Sequence, residues 1–132
     1  MRSLVSYFFI LVGLFFPSLA SALTLTSSAF ANNGVIPNEF TYASGSQCSG
    51  GNLSPPLTVG EIPAGVQSLA LTVLDPDGGN WVHWKAWNIP ANTTSLPENV
   101  SRTASFNQAV NDFGTAGYGG PCPPSPNHRY VF

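Results

Sequence analysis

Proline or glycine occupies 25 of the 132 positions (12 Pro and 13 Gly). Beyond residue 22 no apolar stripe recurs with the 3.6-residue period of a helix. Interruptions that frequent leave short extended segments as the main regular structure open to the chain. A mainly β fold is therefore expected. "LTLTSSAF" (23–30) alternates as an opening strand, and "SLALTVL" (68–74) sets Leu69, Leu71 and Val73 against Ala70, Thr72 and Leu74. Because both faces of the second segment are largely apolar, it reads as a central strand covered on two sides. "WVHWKAWNIP" (81–90) is an aromatic-rich strand stopped by Pro90, and "HRYVF" (128–132) reads as a last strand. "ASGSQCSGGNLSPP" (43–56) and "NDFGTAGYGGPCPPSPN" (111–127) are irregular by composition.

The first 22 residues read differently. "MRSLVSYFFILVGLFFPSLASA" has one basic residue, Arg2, then an apolar run, then small residues at Ala20 and Ala22, as a secretory signal peptide requires. Pro17 and Ser18 break the apolar stretch early, which disfavours a membrane anchor. The expectation is an exported chain, secreted or periplasmic, whose mature part, 23–132, forms one small domain. Its basic residues are Lys85, Arg102 and Arg129 against Glu39, Glu61, Asp75, Asp77, Glu98 and Asp112, a balance that disfavours nucleic acid or an anionic membrane surface as partner. In an exporting compartment Cys48 and Cys122 are free to form a disulfide, which over so long a loop would stabilise by roughly 4 kcal/mol. Two free thiols remain open, and a zinc site with His83 and His128 is the weakest alternative.

The residues with most chemistry lie in "DPDGGNWVHW" (75–84), between the two best-defined strands. Pro76 suits a turn, and Gly78 or Gly79 can take its positive φ. Asp75, Asp77 and Asn80 resemble the start of a calcium loop, but the sixth position is Asn80 instead of Gly and the twelfth is Ala86 instead of Glu. A hydrolase is poorly served: there is no G-x-S-x-G or S-x-x-K, and the two aspartates share one turn instead of facing each other across a cleft. A pocket for a small anion fits better. His83 and His128 can supply N–H donors, "GYGGP" backbone N–H groups, and Tyr118 or Tyr130 a hydroxyl, with Trp81 and Trp84 as walls. An aspartate there would hold a histidine or meet a ligand's ammonium, a combination suited to a zwitterionic headgroup such as phosphoethanolamine. Histidines merely satisfied within strands and tryptophans merely in the core are the competing reading.

"CSGGNLSPPL", "LTVLDPDGGNWVHWKAWNIPANTTSLPENV" and "NDFGTAGYGGPCPPSPNHRYVF" together resemble the phosphatidylethanolamine-binding protein family, most closely its bacterial and archaeal Raf-kinase-inhibitor-like branch. The resemblance runs over essentially all of 23–132. It implies a two-sheet β-sandwich with Greek-key connections and few short helices, binding phosphate-like anions or phosphoryl headgroups with no cofactor, no metal and no catalysis. Carried over residue by residue, the implied site comprises Asp75, Pro76, Asp77, Trp81, His83, Gly120, Pro121, His128 and Tyr130. His83, His128 and Tyr130 would act as donors and Asp75 would orient a histidine, while Arg129, on the opposite face from His128, would be structural. The resemblance equally allows a protein-interaction module that inhibits a kinase or protease through outer loops such as 43–56. Two departures stand out: Gly78 and Gly79 replace the Ala-Pro usual after D-P-D, which implies a more mobile rim, and family members continue past H-R-Y-V-F, so 23–132 reads as a domain incomplete at its C-terminus. Asn52, Asn92 and Asn99 match the glycosylation pattern, which matters only in a glycosylating host.

Overall fold

The computed structural model describes residues 22–43, 47–124 and 127–132. The expected signal segment, 1–22, falls outside them apart from Ala22. Six strands form two three-stranded antiparallel sheets: β1 (Thr24–Thr26), β2 (Leu57–Gly60) and β5 (Ser95–Leu96) in the order β1-β2-β5, and β3 (Ser68–Asp75), β4 (Trp81–Pro90) and β6 (Asn107–Gln108) in the order β3-β4-β6. The chain passes from the first sheet to the second after β2, returns after β4 and crosses again after β5. Single 3-10 turns occur at Asn38–Phe40 and Val100–Arg102.

The core forms where the two sheets face each other. Leu57 and Leu96 come from one sheet, and Leu71, Val73, Trp84, Ala86 and Ile89 from the other. Leu71 pairs with Ala86 and Val73 with Trp84 across the β3–β4 ladder, so the largest core ring sits opposite a β-branched neighbour. Trp84 is fully buried, and its indole N–H donates to Gln108 Oε1 at 2.7 Å. Burying the ring is favourable only because that polar atom finds a partner.

Three strand expectations need correction. β1 stops at Thr26 instead of running to 30: Ser27 Oγ donates to the Pro56 carbonyl at 2.7 Å and accepts the Ala29 N–H at 3.1 Å, drawing the chain out of the ladder. β3 is not the central strand, because β4 lies between β3 and β6. Nor are both faces of β3 covered: Leu71, Val73 and Asp75 are buried while Ala70 and Thr72 are exposed, since the core lies on one side only. Finally, 128–132 is not a strand. Val131 alone bridges Leu74, through a reciprocal pair of N–H···O bonds of 2.8 and 2.9 Å, and the Arg129 N–H goes instead to the Asp77 carboxylate.

The two irregular stretches are tied together covalently. Cys48 and Cys122 form a disulfide with Cα atoms 5.9 Å apart, so of the alternatives open from sequence the bridge is the one present. It fixes the stretch around Cys48 against the 117–122 strap, in which Gly119 exchanges hydrogen bonds with His83 of β4.

Candidate functional site

Asp75 ends β3 and is almost wholly buried, yet it is a carboxylate. Burial is tolerable because both oxygens are engaged: Oδ1 accepts the Gly78 N–H at 2.8 Å and Oδ2 accepts from His128 Nδ1 at 2.7 Å. The first bond closes the 75–78 turn, and it leaves no room for a side chain at 78, where a Cβ would lie 2.7 Å from Asp75 Oδ2. Gly79 and Asn80 then take the positive φ values, 76° and 63°, that return the chain into β4. The rim expected to be more mobile thus carries one side-chain bond that closes its turn.

His83 reaches the site through an irregularity in the ladder. Val73 pairs with Trp84 and Leu74 with Val82, so one step on β3 matches two on β4 and His83 is the extra residue. A bulge re-aims a side chain, and here it lets two successive residues, His83 and Trp84, both be buried. The His83 ring packs edge-on to Phe113 and Tyr130, with ring centres 5.4 and 5.2 Å away. Its Nδ1 lies 2.6 Å from the Gly119 carbonyl, and the Gly119 N–H donates to the His83 carbonyl at 2.8 Å. A carbonyl can only accept, so Nδ1 carries the proton. Burial pushes the His83 pKa down, against the opposing influence of the Gly119 carbonyl and Asp75. His83 is thus neutral near pH 7 with its single N–H already given to the Gly119 carbonyl and Nε2 left as an acceptor, so the donor role expected of His83 is not available to a ligand.

The 127–132 segment supplies the other side. The Leu74–Val131 bridge brings His128 against Asp75, and Tyr130 against His83. The Tyr130 hydroxyl is buried with no hydrogen-bond partner among the described residues. Burial, helped by the charges of Asp75 and Asp77, pushes its pKa up to about 12, so it remains a protonated donor. Asp77 turns outward. Its oxygens accept from Arg129 Nη2 at 2.7 Å, Arg129 Nε at 3.0 Å and the Arg129 N–H at 2.8 Å, and this fork holds its carboxyl down at about 2. Asp77 is occupied by the residue read as structural, and the pair joins the turn to the last segment.

The remaining expected residues divide. Pro76 sits half-buried in the turn, and Trp81, 40% exposed, stands at the rim edge-on to Phe113. Gly120 is buried where a Cβ would meet the Phe40 carbonyl at 2.3 Å and the Tyr42 nitrogen at 2.7 Å, and its N–H donates to Asn52 Oδ1. Pro121 accepts the Tyr42 N–H through its carbonyl and, with His128 and Tyr130, lines a groove of about 990 Å³ walled by Phe30, Ile36 and Phe132. Two aromatics considered for the pocket are elsewhere: Trp84 is in the core, and Tyr118 gives its hydroxyl to the Phe40 carbonyl at 2.9 Å. Phe113 was not foreseen. It contacts Tyr42, Trp81 and His83, and lies in a stretch whose glycines give no periodic signal.

Residues 26–132 match the family model for phosphatidylethanolamine-binding proteins. The chain is 43% identical over 116 residues to a UPF0098 protein of Methanothermobacter thermautotrophicus, covering 83% of this chain and 73% of the relative. It is 40% identical over 128 residues to the UPF0098 protein YbcL of Escherichia coli, covering 89% of this chain and 69% of that one. A UPF0098 protein of Archaeoglobus fulgidus is 43% identical over 121 residues, and there the match spans 86% of this chain but only 39% of the relative. The crystal structure of E. coli YbcL, described as a new member of the mammalian PEBP family, superposes with a TM-score of 0.72 at 37% identity over 82% of this chain and 72% of that one. A PEBP homologue from Chlamydia trachomatis gives 0.73 at 35% identity, over 83% and 71%. On sequence and fold together, the chain belongs to the phosphatidylethanolamine-binding protein family.

Proposed function

We propose that this is an exported protein that binds a small anion or phosphoryl headgroup, such as that of phosphoethanolamine, between His83 and the 127–132 segment, and that it acts by binding, without turnover. The observation that carries this reading is the Tyr130 hydroxyl, protonated, buried and without a hydrogen-bond partner among the described residues, on a ring that packs edge-on to His83. A buried donor left unpaired costs about 1–3 kcal/mol, a cost that a phosphoryl oxygen accepting from it would remove. Asp75 on its own would repel an anion, but both of its oxygens are committed within the protein, one of them to His128. His128 and Tyr130 open on the groove by which a ligand enters. Export is consistent with the Cys48–Cys122 bridge, which persists in an oxidising compartment.

The test is a titration of the full chain with phosphoethanolamine, followed by tryptophan fluorescence, to which the rim residue Trp81 contributes. The parent protein is expected to respond in a saturable way, and His83→Ala and His128→Ala to lose that response. A parent protein that does not respond contradicts the proposal; an unchanged response in both variants contradicts this placement of the site.

A further inference from the structure

A second cavity, of about 480 Å³, lies across the 117–121 strap from His83. Successive N–H groups of the strap point alternately to its two sides: Tyr118 donates to Ser101 Oγ at 2.7 Å, Gly119 to the His83 carbonyl at 2.8 Å and Gly120 to Asn52 Oδ1 at 2.7 Å. Extended backbone alternates in this way. Ser101 and Asn52, which both line the cavity, therefore stand on the face opposite His83. The volume is within the roughly 300–1,000 Å³ of small-molecule sites.

The lining is made of amides, hydroxyls and one guanidinium, with no acidic side chain. Most of these groups satisfy one another, as Ser101 Oγ does with Gln108 Oε1 at 3.0 Å. Three do not. Asn99 Oδ1 is buried with no hydrogen-bond partner among the described residues. Asn52 has its amide orientation fixed by the Gly120 N–H on Oδ1, which leaves Nδ2 without a hydrogen bond among the described residues. Arg102 is exposed and reaches only the Gly51 and Asn52 carbonyls, both at 3.5 Å, the limit of a hydrogen bond. The cavity thus presents a buried acceptor, amide donors and a cation.

We propose that this cavity binds a sugar acid of monosaccharide size. A hydroxyl both donates and accepts, so adjacent hydroxyls satisfy Asn99 Oδ1 and Asn52 Nδ2 together, while a carboxylate meets the Arg102 guanidinium. A phosphate monoester dianion has no proton for Asn99 Oδ1, and an amine finds no carboxylate in the lining. Tyr42, stacked on Phe113 at 4.1 Å, adds an aromatic wall.

Calorimetric titration of the full chain with glucuronate and with glucose tests this. Glucuronate is expected to bind, and glucose roughly tenfold or more weakly. Asn99→Gly, which tolerates the left-handed backbone at φ 60°, and Arg102→Gln should each weaken glucuronate by about tenfold while near-UV circular dichroism stays that of the parent. In the parent protein, the Trp84 indole N–H resonance should shift with glucuronate, because its acceptor Gln108 lines the cavity. That readout decides the matter even if both variants fail to fold. No binding and no indole shift in the parent protein overturns the proposal, as does equal binding of glucose, or unchanged binding in both folded variants.

Discussion

Asp75 and Asp77 stand two residues apart in one turn, and both reach across to the same last segment of the chain, yet they meet opposite environments. Asp75 is buried, and its partner His128 is nearly so, with side chains 6% and 11% exposed at a separation of 2.7 Å. Asp77 pairs with Arg129 at the same 2.7 Å, but those side chains are 31% and 74% exposed. Equal distances do not mean equal consequences. In water the outer fork is screened and each partner can be solvated alone, whereas neither inner partner has that alternative. One turn thus supplies a buried pair beside the proposed binding site and an outer pair that fastens the turn to the 127–132 segment.

The largest expected effect lies on the inner side. Asp75→Ala removes the buried carboxylate that accepts from both His128 Nδ1 and the Gly78 N–H, and is expected to cost roughly 3 kcal/mol, a fall in melting temperature on the order of 10 °C. A melt within a degree or two of the parent would show that burial does not distinguish the two aspartates. Acidification comes next. The folded pKa of His83 lies below its unfolded value of 6.5, so below pH 6.5 the unfolded chain takes up the proton first and stability is progressively lost until the folded pKa is passed. Denaturant melts of the parent and of His83→Gln over that range should diverge, with the variant flatter; parallel curves would exclude His83 as the source.

Tyr130→Phe is expected to leave stability within about 1 kcal/mol of the parent or to raise it, because the hydroxyl it removes has no partner among the described residues. A large destabilisation would mean that the hydroxyl is structurally bonded after all. Smallest of all is Arg129→Ala. The Leu74–Val131 bridge and the Asp75–His128 pair remain to hold the segment, so the thermal melt should barely move. A shift as large as that of Asp75→Ala would mean that the outer fork, not the inner pair, holds the site together.

Those parts of the fold that depend on local pattern could be read from the sequence, and those that depend on register could not. β3 and β4 are marked by alternation and by Pro90, and their turn by Pro76 and the glycines, so Asp75 and His83 could be assigned to the two sides of one turn. Nothing in "WVHW" announces that His83 is an extra residue in the ladder, because a bulge is a relation between β4 and β3. That bulge puts Trp84, opposite Val73, and Trp81, opposite Asp75, on one face of the ladder, yet Trp84 is in the core while Trp81, at the start of β4, stands at the rim. In 128–132, alternation suggests a strand, but the Asp77 carboxylate takes the Arg129 N–H that a ladder would need. The Cys48–Cys122 bridge and the contacts of Phe113 and Asn52 join positions far apart along the chain, where sequence could permit a contact without deciding it.

The central claim is that an anion is received on the buried side of this turn, although its exposed side carries the more obvious cation. Calorimetric titration with inorganic phosphate, comparing Tyr130→Phe with Arg129→Ala, tests this most directly. The account predicts that Tyr130→Phe weakens binding by about tenfold or more while Arg129→Ala stays within about twofold of the parent. Phosphate binding that survives Tyr130→Phe unchanged and disappears with Arg129→Ala would contradict it.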